Sequence, residues 1–110
     1  MAGPLKGEIV VVPFPFSDLS RSKRRPALVV ASLGGDDLIL CQITSRRGND
    51  PDAVPISNSD FASGGLKRDS FARPGHLFTA HRGIVLSSAG MLLPQTMKRV
   101  TDGLFAILTR

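Results

Sequence analysis

Residues 25–45 read RPALVVASLGGDDLILCQITS, and this stretch decides the class of fold. Residues 26–31 and 38–45 are aliphatic and β-branched runs, and Gly34, Gly35, Asp36 and Asp37 between them supply turn chemistry. The pattern predicts a β-hairpin. Its second arm puts Ile39, Cys41 and Ile43 on one face and Leu38, Leu40, Gln42 and Thr44 on the other. Proline lacks an amide donor and pushes the residue before it toward extended backbone, so Arg25 is expected at the entrance of the first arm, sharing a face with Ala27 and Val29.

Upstream, residues 8–16 begin with the β-branched run Ile9 to Val12 and then carry Pro13 and Pro15, which predicts a strand with an irregular end. Residues 17–25 are polar and basic, with Arg21, Lys23, Arg24 and Arg25, and are expected to form a loop. Downstream, a loop over 46–52, a short strand over 54–57 and a turn at Gly64-Gly65 are expected. Further strands are expected over 69–72, 76–80 and 84–87, separated by Pro74-Gly75 and Arg82-Gly83. Short, closely spaced strands predict a small barrel. After Gly90 the period changes: Met97, Val100, Leu104 and Ile107/Leu108 recur at helical spacing behind Pro94, predicting an amphipathic helix over 95–108. Gly103 weakens that helix by about 1 kcal/mol relative to Ala, so its apolar face needs the sheet to pack against.

With 110 residues, 42% hydrophobic and 21% charged, the chain has the size and composition of one compact globular domain and not of a disordered one. A domain of this length buries about two-thirds of the surface of its unfolded chain, enough for a core without disulfides or metal. Cys41 is the only cysteine, which excludes an internal disulfide and suits a reducing compartment. Within an apolar run it reads as a buried, inert thiol. The N-terminal residues do not have the pattern of a signal peptide, and no apolar stretch reaches the roughly 18 residues of a membrane helix, so a cytoplasmic location away from membranes is expected.

Fourteen Lys and Arg oppose nine Asp and Glu, and ten of the fourteen are Arg, whose planar fork suits phosphate. This balance points toward a polyanionic partner. By residue type alone, Arg25 is either an exposed arginine or a phosphate contact, and Thr44 either a good strand residue or a hydroxyl donor to a phosphate oxygen. His76 and His81 are the side chains that titrate near neutrality. His81 beside Arg82 is a candidate acid or base, or a solvated histidine. Neither sits in a Cys or carboxylate cluster, so no metal and no cofactor are expected.

The segments Gly7-Glu8-Ile9-Val10-Val11-Val12, Arg25-Pro26-Ala27-Leu28-Val29-Val30 and Ile43-Thr44-Ser45 resemble, in order and spacing, the PemK/MazF toxins of type II toxin–antitoxin pairs. Arg68-Asp69-Ser70, the stretch around 77–79 and Gly90-Met91-Leu92 extend the resemblance over most of 7–108. It implies an SH3-like small β-barrel with a C-terminal helix, a homodimer, and an acidic protein antitoxin. It also implies metal-independent, sequence-specific cleavage of single-stranded RNA to 2′,3′-cyclic phosphate and 5′-OH ends. The family's arginine before proline and its threonine at the end of the third strand match Arg25 and Thr44, which the resemblance makes catalytic. Its aromatic after the first strand matches Phe14, which could stack on a base or lie in the core. Arg24, Ser45, Arg46, Arg68 and Ser70 flank these positions as candidate RNA contacts. One departure is that Ser20 stands near the place where many relatives carry an acid before the Arg-Pro pair, and the nearest acid is Asp18. Two other readings share the fold: a non-catalytic toxin that binds a protein target, as CcdB does, and an RNA-binding module without turnover. Against the first stand Arg25-Pro26 with Thr44 and the absence of Trp; against the second stands a thin stacking surface, six Phe with no Tyr or Trp.

Overall fold

A computed structural model of the chain describes residues 3–15 and 22–110. Among the described residues there are seven strands, β1 (Glu8–Pro15), β2 (Ser22–Ser32), β3 (Asp37–Thr44), β4 (Val54–Ile56), β5 (Phe61–Gly64), β6 (Ser70–His81) and β7 (Ser87–Leu92), followed by one helix, α1 (Pro94–Thr109). They form a single curled sheet in the order β4-β6-β3-β2-β1-β7-β5, with β4 and β5 at its two edges. Every pairing is antiparallel. Register shifts interrupt the ladders at Ile9/Val10, Val29/Ala31, Cys41/Gln42 and Phe61/Ser63, and such bulges add the local twist that rolls the sheet into a half-barrel.

The β2–β3 hairpin and the helix form where the sequence pattern places them. Other boundaries differ for local reasons. Residue 16 of the expected first strand and residues 17–21 of the expected basic loop, with Asp18, Ser20 and Arg21, lie outside the described residues, and Lys23, Arg24 and Arg25 belong to β2 itself. Pro13 stands opposite Arg24, Pro15 opposite Ser22 and Pro26 opposite Val11. An antiparallel ladder exchanges hydrogen bonds only at every second rung, so these prolines occupy rungs where no amide donor is required. The strands expected over 69–72 and 76–80 are one strand, β6: Gln42 faces Arg73 while Cys41 faces Leu77, so residues 74–76 bulge out of the ladder without ending it. A 3-10 turn, Arg82–Ile84, takes the start of the strand expected over 84–87, and β7 runs later. β5, absent from the sequence reading, pairs with β7 where Gly64 meets Gly90. A Cβ on Gly64, whose φ is +71°, would collide with the Ala89 carbonyl oxygen.

Alternation along the strands makes two cores. Ile9, Leu28, Val30, Cys41, Ile43, Ile56 and Ala72 pack with Met97 and Val100 of α1 on one face of the sheet. Val10, Val12, Ala27, Val29, Leu38 and Leu40 form a second cluster on the other face, with Phe14 and Phe78 at its margin. The helix is buried in its first half only: Phe105 and Leu108 are 68% and 73% exposed.

Asp60 fixes where the helix begins. Its Oδ1 accepts from the Thr96 hydroxyl at 2.9 Å and from Arg99 Nη2 at 2.8 Å, while Oδ2 accepts from the Ser57 amide at 2.8 Å. Its own carbonyl accepts from the Leu93 amide, the residue that caps α1. Burial acts to raise the pKa of this carboxyl, but the hydrogen bonds from Ser57 and Thr96 and the charge of Arg99 outweigh it and hold the pKa below the ordinary carboxylate value.

Asp60→Asn is expected to lower stability at pH 7 by about 1–3 kcal/mol, read from the urea midpoint, because hydrogen bonds to a charged group are lost. Since the folded pKa is depressed, this contribution is present above the unfolded value of about 4 and is lost as pH falls through the folded one; the gap between wild type and variant should therefore close in strong acid. Gly103→Ala is expected to raise stability by about 0.5–1 kcal/mol in the same assay, since a Cβ there would meet Pro74 Cγ at 3.5 Å, an ordinary contact.

Candidate nucleic-acid interface

Arg25 and Thr44 lie on neighbouring strands and the same face. Ala27 pairs with Gln42, and two residues further along that register Arg25 comes opposite Thr44. Both are half-buried. A groove of about 400 Å³ runs past them, lined also by Lys23, Arg24, Pro26, Ser45, Lys67, Arg68 and Ser70. Five cationic residues line it and no acid does, among the described residues. Such a wall of one sign concentrates anions near its surface.

The Thr44 hydroxyl is held in one orientation, because its Oγ1 accepts from the Arg46 amide at 3.2 Å. A hydroxyl that accepts on one side keeps its own proton to donate. Ser70 is buried, and its hydroxyl donates to the Arg68 carbonyl at 3.0 Å, so it braces the backbone that carries the exposed Arg68. Ser45 and Arg24 are exposed at the groove; Arg46 is exposed but does not line it, and joins the site through its amide.

Two expected residues lie elsewhere. Phe14 lines a neighbouring cleft and packs edge-to-face on Phe78, with ring centroids 5.2 Å apart. His81 pairs with Asp37 at the opposite end of β3, seven residues from Thr44, or roughly 24 Å of strand. There its Nδ1 accepts from the Gly83 amide at 2.8 Å and its Nε2 lies 3.7 Å from Asp36, so the structure removes it from the Arg25 groove.

Sequence reading passed over a cluster that the β6 bulge assembles. Arg73 donates from Nε to Asp50 Oδ2 at 2.8 Å and from Nη1 to Gln42 Oε1 at 3.2 Å, and its Nη2 lies 2.7 Å from His76 Nε2. The hydrogen bond from Arg73 is the largest influence on Asp50 and holds its carboxyl below the usual range. The signal available in sequence was Arg73-Pro74-Gly75-His76, which reads as a strand break until the bulge is seen to fold His76 back onto Arg73. Among the described residues no group of three or more His, Cys, Asp or Glu could hold a metal ion.

The profile of a family described as PemK-like, MazF-like toxin of type II toxin–antitoxin system matches residues 5–108. The chain belongs to this toxin family. Solved structures agree on the fold of this PemK/MazF-like toxin. An endoribonuclease from Mycobacterial species is 21% identical with a TM-score of 0.72, covering 98% of this chain and 93% of its own. MazF from Deinococcus radiodurans is 20% identical with a TM-score of 0.74 and full coverage of both chains. A Mycobacterial endoribonuclease solved in complex with its cognate antitoxin is 20% identical, with a TM-score of 0.70 over 98% of this chain and 95% of that one. Comparison with curated proteins gives no significant match. No helix of the toxin, among the described residues, is long and apolar enough to cross a membrane.

Cys41 is on β3 between Leu40 and Gln42 and is fully buried, and burial pushes its thiol up to about 12. It takes no part in the toxin's chemistry as a nucleophile. In the native state at pH 8 it should react with a thiol-specific disulfide reagent at least about a hundredfold more slowly than after unfolding in guanidinium; equal rates would contradict the burial.

Proposed function

We propose that this toxin is a sequence-specific endoribonuclease of single-stranded RNA that works without a metal and leaves 2′,3′-cyclic phosphate and 5′-OH ends. The observation that carries the reading is the convergence of five cations and an oriented Thr44 hydroxyl in one groove that, among the described residues, no acid lines. In the reaction the ribose 2′-oxygen attacks the adjacent phosphorus, the new P–O2′ bond forms as P–O5′ breaks, a proton leaves the 2′-OH and another is delivered to O5′. The extra negative charge that builds on the phosphoryl oxygens is what the site must stabilise.

Arg25 suits that task. A guanidinium can present two parallel donors to a phosphate and has no acceptor, which suits it to charge stabilisation and not to proton abstraction. Thr44 donates to a second phosphoryl oxygen. Arg24 and Arg68 hold flanking phosphates from the two sides of the groove, with Ser70 fixing the Arg68 backbone, and Ser45 at the rim adds a neutral donor.

In this reading the toxin acts as a homodimer and is held inactive by an acidic antitoxin, whose chain would order itself along the basic groove. The Mycobacterial endoribonuclease of the same fold, solved in complex with its cognate antitoxin, supports an antitoxin partner.

Incubated in EDTA with a mixed-sequence single-stranded RNA, the wild type should cut at a short recurrent sequence and leave cyclic-phosphate ends. Arg25→Ala should lose on the order of a hundredfold or more in rate, and Thr44→Ala about tenfold, with unfolding midpoints near that of the wild type. RNA affinity should fall with salt, by a logarithmic slope of about 0.7 for each phosphate neutralised. An intact wild-type protein that leaves every RNA uncut sinks the reading.

A further inference from the structure

Beside the cleavage groove is a second cleft of about 390 Å³ lined by Phe14, Gln42, Gly75, His76, Leu77 and Phe78. It is adjacent by construction: Gln42 and Thr44 share a face of β3 two residues apart, about 7 Å along the strand. Phe14 comes from β1, one same-face position beyond Val12, the partner of Arg25.

The polar groups of this cleft have their orientation dictated by Arg73. A guanidinium has donors and no acceptor. Gln42 must therefore turn its Oε1 toward Arg73, as the 3.2 Å contact shows, and its amide NH₂ away from it. His76 must accept at Nε2, 2.7 Å from Arg73 Nη2, which puts the proton of the neutral ring on Nδ1. Asp50, in turn, fixes Arg73 through Nε at 2.8 Å. The side chains of Gln42 and His76 thus offer the cleft donors, next to the apolar ring of Phe14 on which a base can stack.

We propose that this cleft is a nucleobase subsite that selects a base carrying two adjacent acceptors on one edge, guanine or cytosine, with Gln42 and His76 as the reading residues and Arg73 and Asp50 as positioning residues. The proposal rests on the groove being an RNA site. Guanine offers N7 and O6, and cytosine offers N3 and O2. Adenine always sets its amino group beside the ring nitrogen on the edges it could present, and uracil separates its two carbonyls by N3–H. Facing two donors, those bases leave a donor opposed to a donor, a mismatch that lowers their affinity and so favours guanine or cytosine.

The test uses a random pool of 2′-O-methyl RNA hexamers, which bind but cannot be cut because the 2′-oxygen is capped, and sequences the fraction retained by the intact protein. One position should be enriched about tenfold in guanine or in cytosine over adenine and uracil, and which of the two is enriched tells the edge being read. Gln42→Glu keeps the oxygen that accepts from Arg73 but replaces the donor by an acceptor, and should abolish the enrichment. His76→Ala, an exposed position that tolerates truncation, should weaken it several-fold. Enrichment of adenine or uracil, no enriched position, no retention of the pool, or a preference unchanged in Gln42→Glu would each overturn the subsite. Absence of RNA cleavage together with the expected enrichment would instead remove the ribonuclease reading and leave the subsite standing.

Discussion

β3 has an apolar side chain on both faces of nearly every turn of its pleat, and because the side-chain period of a strand is two, a slip of one residue against β2 or β6 would exchange the contents of the two cores. Ile39, Cys41 and Ile43 belong to the core under the helix, and Leu38 and Leu40 to the opposite one. Along the second face the apolar residues end at Leu40, and Gln42 and Thr44 continue it in polar form. The cleft begins where that core ends, and the groove opens at the same end of the strand, lined in addition by Ile43 of the other face. The register that packs the two cores is therefore also what places a hydroxyl and an amide, two residues apart, on the surface beside Arg25.

How far this could be read from sequence depends on the range of the interactions involved. The β2–β3 hairpin and α1 are set by local chemistry, alternation around a Gly-Gly-Asp-Asp turn in one case and helical spacing behind Pro94 in the other. That Arg25 and Thr44 come together on one face was legible from parity within each strand and the family resemblance. The continuity of β6 was not, because Pro74-Gly75 reads as a stop unless β3 supports the strand on both sides of the bulge. Asp60 and Asp50 bond partners far along the chain, with 36 residues to Thr96 and 23 to Arg73, and neither carries a local signal. His81 was attractive for its chemistry and its arginine neighbour, but pairing with Asp37 carries it to the wrong end of the ladder.

The distribution of charge follows the same division. Asp36, Asp50, Asp52, Asp60 and Asp102 are each paired with a cation in a structural role, Arg82, Arg73, Arg110, Arg99 and Lys98 respectively. None of these five pairs draws on a residue that lines the groove. The exposed pairs contribute little to stability. Their larger effect is on the field: acids and cations balance elsewhere, and the positive groove is left as the dominant feature a polyanion would meet.

The two edges of the sheet are short. β4 is three residues long with Pro55 at its centre, and β5 is four residues ending in Gly64. An open curled sheet exposes a row of unpaired amides and carbonyls at each end, the template on which foreign strands add and amyloid-like stacking starts. Here one row is interrupted by a residue with no amide hydrogen and the other ends at a glycine pressed against its neighbour. A mostly β chain can thus accumulate in the folded state with little exposed edge on which its sheets could grow into one another.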